Sequence, residues 1–181
     1  MPVNWVGSPV SWTISRIDKL NHHETLLYEI DMLRFTYRRM QSAWPEATEG
    51  DLWVYLESFL VHYRNLLQFF GKRSSIKTDL TIWHPELIWT QESGLDARRP
   101  SEDDLRLMQQ VGSELWKKYE DRNNRRDTIS RYLQHCTTFR IAFMQWHISE
   151  MMSELHRILE LFETHLPEFK PASNSDVLHK L

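Results

Sequence analysis

The chain has 181 residues, 41% apolar and 26% charged, so it can bury a core and is unlike a disordered polymer. Lys plus Arg number 22 against 25 Asp plus Glu, a formal net charge of −3, which is not the basic footprint of a dedicated nucleic-acid binder. The lone cysteine, Cys136, excludes an intrachain disulfide framework, and no apolar run is long enough for a transmembrane helix.

Residues 1–15 carry Trp5, Trp12, Pro2, Pro9 and Gly7 without helical periodicity and read as an irregular arm. Their start, MPVNWVGSPVSW, lacks the basic-then-apolar order of a signal peptide, so the expectation is a soluble, cytoplasmic protein without a membrane partner. Asn21 and Glu24 have the spacing of a capped helix start. Leu26, Ile30, Leu33, Tyr37 and Met40 then recur every three or four residues, predicting helix one over about 21–41, with a start as early as Ser15 left open. Tyr28, Met32 and Phe35 make a second stripe, and Trp44-Pro45 marks the exit.

Helix two is predicted over about 51–70. Leu52, Leu56, Phe59, Leu60, Tyr63, Leu66, Leu67 and Phe70 fill one broad arc, while Trp53, Val54, Tyr55, Val61 and Phe69 fall outside it. A helix apolar nearly all round belongs at the centre of a bundle. Gly71 follows, where a positive φ commonly ends a helix.

Residues 72–100 are punctuated by Pro85, Gly94 and Pro100 but hold Ile82, Trp83, Leu87, Ile88 and Trp89. They read as a packed flap, because structureless loops of that length are uncommon inside a domain. Helix three starts at Ser101-Glu102-Asp103-Asp104 and ends near Lys117, Lys118 and Arg122, matching the helix dipole at both ends. Its stripe is Leu105, Met108, Gly112, Leu115 and Tyr119, and Gly112 would permit close approach of a neighbour.

Asp127 is the expected cap of the next helix. Ile129, Tyr132, Leu133, Cys136, Arg140 and Phe143 share one arc, and Met151, Leu155, Ile158, Leu159, Phe162 and Leu166 another. The two arcs are out of phase, which places a break near 144–148 between helices of about 128–143 and 148–165. The chain is thus expected to be all-α, a bundle of four or five helices over residues 1–167, with a flexible tail over 168–181. Of eight tryptophans, only Trp53 and Trp116 fall inside these helices and Trp146 falls at the break. The rest look like anchors that clamp irregular segments onto the bundle.

Helix two also carries the densest polar set: Glu57, His62, Arg64 and Asn65, joined by His135 further on. Polar groups on an otherwise apolar helix need partners. They either bond to backbone and acids of neighbouring helices or line a cleft.

The string ESFLVHYRNLLQFF (57–70) resembles a helix of small, mostly uncharacterised bacterial all-helical proteins, and ISRYLQHCTTFR (129–140) is similar to a second element of the same group. More distantly, both resemble the HEPN class, which includes metal-independent RNases and catalytically inactive binding or dimerisation modules. The HEPN signature is Arg, a polar residue, then His after four to six intervening residues. Arg64-Asn65 begins it, but Phe69 stands where the His belongs. Arg131 and His135 are one residue too close, and Arg140 and His147 fit in spacing but with Ile141 after the Arg. Pairs at such spacings arise by chance roughly twice in a chain of this composition.

Two functions follow as expectations. The first is a non-catalytic module, HEPN-like at most, forming a homodimer or binding a protein partner. The alternative is an RNase using Arg140 and His147, in which RNA is the partner, Arg holds phosphate and His moves the proton. A third reading, a metal site on the face shared by His147, Glu150 and Glu154, lacks the Glu-x-x-His pairs of di-iron bundles. No metal ligand set and no cofactor is therefore expected. The basic turn Arg122 to Arg126, and Arg98-Arg99, read as solvated surface.

Overall fold

The computed structural model describes residues 22–42, 47–72, 80–82, 100–120, 128–134 and 145–165. Five helices lie within them: α1 (His22–Ser42), α2 (Glu49–Gly71), α3 (Glu102–Glu120), α4 (Ile129–Gln134) and α5 (Ile148–Thr164). The fold is all-α, with no strand among the described residues.

The long helices alternate in direction. Contacts of Glu29 with His62 and of Arg39 with Tyr55 set α1 antiparallel to α2. Tyr63 against Tyr119, with Gly71 against Gly112, does the same for α2 and α3. Lys118 with Glu150 and His165 with Asp104 pair α3 and α5, and a bidentate Arg34–Glu163 bridge ties α5 back to α1. The short α4 packs on α2 and α3. One core runs through all of them, with Ile30, Leu33, Phe59, Tyr63, Phe70, Met108, Leu155, Leu159 and Phe162 among its buried members.

Local chemistry explains most of the boundaries. Thr48 caps α2: its hydroxyl oxygen accepts from the Asp51 N–H at 3.2 Å, and the Asp51 carboxylate accepts from the Thr48 N–H at 3.0 Å. Ser101 takes the same role for α3, accepting from the Asp104 N–H at 3.1 Å. At α4 the capping hydroxyl belongs to Thr128, which accepts from the Arg131 N–H at 3.1 Å, so the expected Asp127 cap is off by one residue. The break before α5 is real: residues 145–147 are not helical, and Trp146 sets its ring against Tyr132 at 5.7 Å. Trp146 thus lies in the break, where its place in the sequence put it. Trp5, Trp12, Trp44, Trp83 and Trp89 lie outside the described residues, as do the arm, the tail and most of the flap. Within the flap, the Ile82 N–H donates to the Phe69 carbonyl at 3.0 Å and Ile82 is buried.

Gly71 has a different reason from the expected one. It is the last residue of α2, and the cap Lys72 has an extended φ of −99°. What demands glycine is proximity. A Cβ on Gly71 would lie 2.8 Å from the Ser113 nitrogen, and one on Gly112 would lie 2.7 Å from Phe70 Cβ. The two helices cross backbone to backbone here, and Ser113 Oγ donates to the Gly71 carbonyl at 2.9 Å. Gly112 thus permits the close approach its place in the stripe suggested.

Tyr63 sits fully buried, stacked on Phe59 with centroids 5.7 Å apart and edge-on to Tyr119 at 5.5 Å. Its hydroxyl has no hydrogen-bond partner among the described residues, and burial drives its pKa far above the ordinary range. An unpaired buried hydroxyl costs more than an apolar hydrogen in its place. Tyr63→Phe is therefore expected to leave stability unchanged or raise it by about 1 kcal/mol in urea denaturation. A clear loss would mean that the hydroxyl is hydrogen-bonded.

Candidate functional site

The polar residues of α2 divide between its two flanks. Towards α1, His62 Nδ1 lies 2.7 Å from Glu29 Oε2, and Asn65 Nδ2 donates to the same oxygen at 3.1 Å. Tyr28 stands edge-on to the imidazole at 5.6 Å. The His62 and Glu29 side chains are only 9% and 16% exposed, so this cluster fastens α1 to α2 from within.

Towards α3 and α4, Arg64 Nε donates to Ser130 Oγ at 2.5 Å and lies 3.5 Å from Glu120 Oε1. The Glu120 side chain is 3% exposed and also accepts from the Ser130 backbone N–H at 2.8 Å. One carboxylate thus holds an arginine from α2 and the first turn of α4. Buried polar groups are satisfied here within the chain.

The described candidates on α2 therefore take their partners on two different flanks. His62 and Asn65 share Glu29, whereas Arg64 takes Glu120 and Ser130. Glu57 is partly buried and shares a helical stripe with Val54 and Val61. Of the pair that the RNase alternative needs, His147 is exposed at the N-cap of α5 and makes no side-chain capping bond. Arg140 and His135 lie outside the described residues.

The shared face of His147, Glu150 and Glu154 is used differently from a metal site. Lys118 Nζ donates to Glu150 at 2.8 Å and to Glu154 at 2.6 Å, and the Tyr119 hydroxyl donates to Glu154 at 2.8 Å. Burial opposes the Lys118 charge, but these hydrogen bonds outweigh it and raise its pKa. Hydrogen bonding to Lys118, together with its charge, lowers the pKa of Glu150. Burial, reinforced by the bond to Glu154, pushes the Tyr119 hydroxyl up to about 12. No group of three or more His, Cys, Asp or Glu residues among those described is placed to hold a metal ion.

No protein-family model, curated protein or solved structure matches this chain. Its site must be read from its own geometry.

Sequence reasoning missed Glu29, Glu120 and Ser130. Each acid carried a signal. Glu29 lies between Leu26 and Leu33 of the buried stripe, a charge on the wrong face. Glu120 stands at the C-terminal end of α3, where the dipole disfavours an acid unless a cation answers it.

Among the many charged and polar residues that face water, a few large apolar side chains are exposed as well, Leu107 on α3 at 51% among them. Val54 is 64% exposed, Tyr28 54%, Trp53 46% and Val61 40%. The expectation that α2 is central holds on its contacts with α1, α3 and α4, but not on this side. Of the five apolar residues outside its arc, Phe69 is buried, Tyr55 receives Arg39 across to α1, and Trp53, Val54 and Val61 are exposed. No helix among the described residues is long and apolar enough to cross a membrane.

Proposed function

We propose that this chain is a non-catalytic helical module, HEPN-like at most, that acts by binding another protein chain, copies of itself included. The observation that carries the reading is the exposure of Trp53, Val54 and Val61 along the outer side of α2. Single exposed apolar residues are ordinary, but a set rimmed by polar groups marks interaction surfaces. The fate of the polar candidates supports it. Arg64, the residue that opens the HEPN-like string, is held by Ser130 and Glu120, and His62 is held by Glu29.

Light scattering at about 100 µM, where even weak association is populated, tests the reading together with an apolar-dye titration. Concentration-dependent association or saturable dye binding is expected. A strict monomer that binds no dye overturns it. RNA incubated with the protein in EDTA is expected to stay intact. Cleavage that disappears in His147→Ala would replace this reading by the RNase.

A further inference from the structure

We infer that the partner is a second copy of the chain, paired antiparallel through the outer side of α2 about a two-fold axis near Val61. This rests on the association reading above and names its partner.

The first support is spacing. Val54, Glu57, Val61, Arg64 and Gln68 follow one another at intervals of three and four and so share one face of α2, on which Val54 and Val61 are the apolar members. This face lies opposite Phe59, Tyr63, Leu66 and Phe70, which face the core. Val54 and Val61, two turns apart, are exposed along it, with Trp53 at its edge.

The second support is charge. Over residues 49–60, α2 carries Glu49, Asp51 and Glu57 and no Lys or Arg. Over 61–72 the helix and its cap carry Arg64 and Lys72 and no Asp or Glu. A parallel pair would set acid on acid and base on base. An antiparallel pair sets the acidic half of each copy on the basic half of the other. A two-fold interface is self-complementary in this sense, because if residue i meets residue j, then j meets i. With the axis between Leu60 and Val61, Glu57 comes into register with Arg64 of the second copy, and Glu49 and Lys72 come to the same level along the pair. The Arg64 side chain remains 26% exposed, and Nε is the atom bonded to Ser130 and closest to Glu120. Glu49 and Lys72 are both exposed.

The test compares association of the full chain with three variants, with far-UV circular dichroism confirming the helical fold of each. Val61→Glu puts two carboxylates at the axis beside the acidic halves and is expected to weaken association about tenfold or more. Glu49→Lys sets two lysines against each other and is expected to weaken it by a smaller factor. Glu49→Lys with Lys72→Glu is expected to restore it. That double exchange opposes the dipole at both ends of α2, so recovery cannot come from a better helix. If Val61→Glu associates as the wild type does, the inference falls and the association reading stands. If the charge exchange fails to restore association, the antiparallel register falls. A wild-type monomer that binds apolar dye removes the second copy as partner and leaves the surface to another protein.

Discussion

Gly112→Ala is expected to destabilise the fold by about 2 kcal/mol or more, even though alanine is the better helix former by about 1 kcal/mol. The added methyl would meet Phe70 Cβ at 2.7 Å and the Gly71 nitrogen at 2.9 Å. These are a backbone atom and the root of a side chain, so no rotamer change relieves them. The helices must move apart, and the Ser113 bond to the Gly71 carbonyl stretches with them. Phe70 stacks edge-on with Phe162 at 5.5 Å, so separation also disturbs the α5 contact. For a chain of this size the midpoint of thermal unfolding should fall by roughly 4–8 °C. Gly71→Ala should behave alike, because it meets the same crossing from the other side. An unchanged or raised midpoint for both would refute the backbone contact. Gly50→Ala is the internal control. Its nearest neighbour would be Thr48 Oγ1 at 3.7 Å, an ordinary contact.

Glu120→Ala should cost about 2–4 kcal/mol, for a different reason. Removing the carboxylate, itself 3% exposed, strips the Ser130 N–H and the Arg64 guanidinium of a shared acceptor. Breaking a buried pair from one side reaches 3–5 kcal/mol. The estimate is lower here because Arg64, being 26% exposed, recovers some hydration. Glu120→Gln keeps a carbonyl oxygen for the Ser130 N–H and should lose about half as much. A double-mutant cycle with Arg64→Met, followed by urea denaturation, isolates the charged term. Additivity of the two changes would show that Glu120 serves α4 alone. Coupling of about 1 kcal/mol or more is the expected result.

The two predictions separate what periodicity can and cannot convey. The stripe Leu105, Met108, Gly112, Leu115 and Tyr119 is buried as read, and so are Met151, Leu155, Ile158, Leu159 and Phe162. A helix imposes 100° per residue, so a repeating apolar face announces both the helix and the side it buries. The break before α5 was legible for the same reason, as a shift in phase. Caps were less legible: Asp127 and Thr128 are both good cap residues, and only the bond to the Arg131 N–H tells them apart.

The polar residues of α2 show the limit most directly. That His62, Arg64 and Asn65 needed partners followed from an apolar helix around them. Which partners they have depends on antiparallel packing: α1 brings Glu29 to His62 and Asn65, and the α3–α4 junction brings Glu120 and Ser130 to Arg64. Glu29 is 33 and 36 positions away along the chain from His62 and Asn65, and Glu120 is 56 from Arg64, beyond the reach of any spacing rule.

Composition and periodicity alone thus determined an all-α chain, its helix order and its buried stripes, because these depend on interactions within a turn or two. Tertiary structure decided that Gly71 answers to a close crossing and not to a positive φ. It decided that Glu150 and Glu154 grip Lys118. It also decided that Val54 and Val61, apolar like their neighbours, look outward. Burial, pairing and exposure are properties of the space between helices, and that space exists only once the helices have packed.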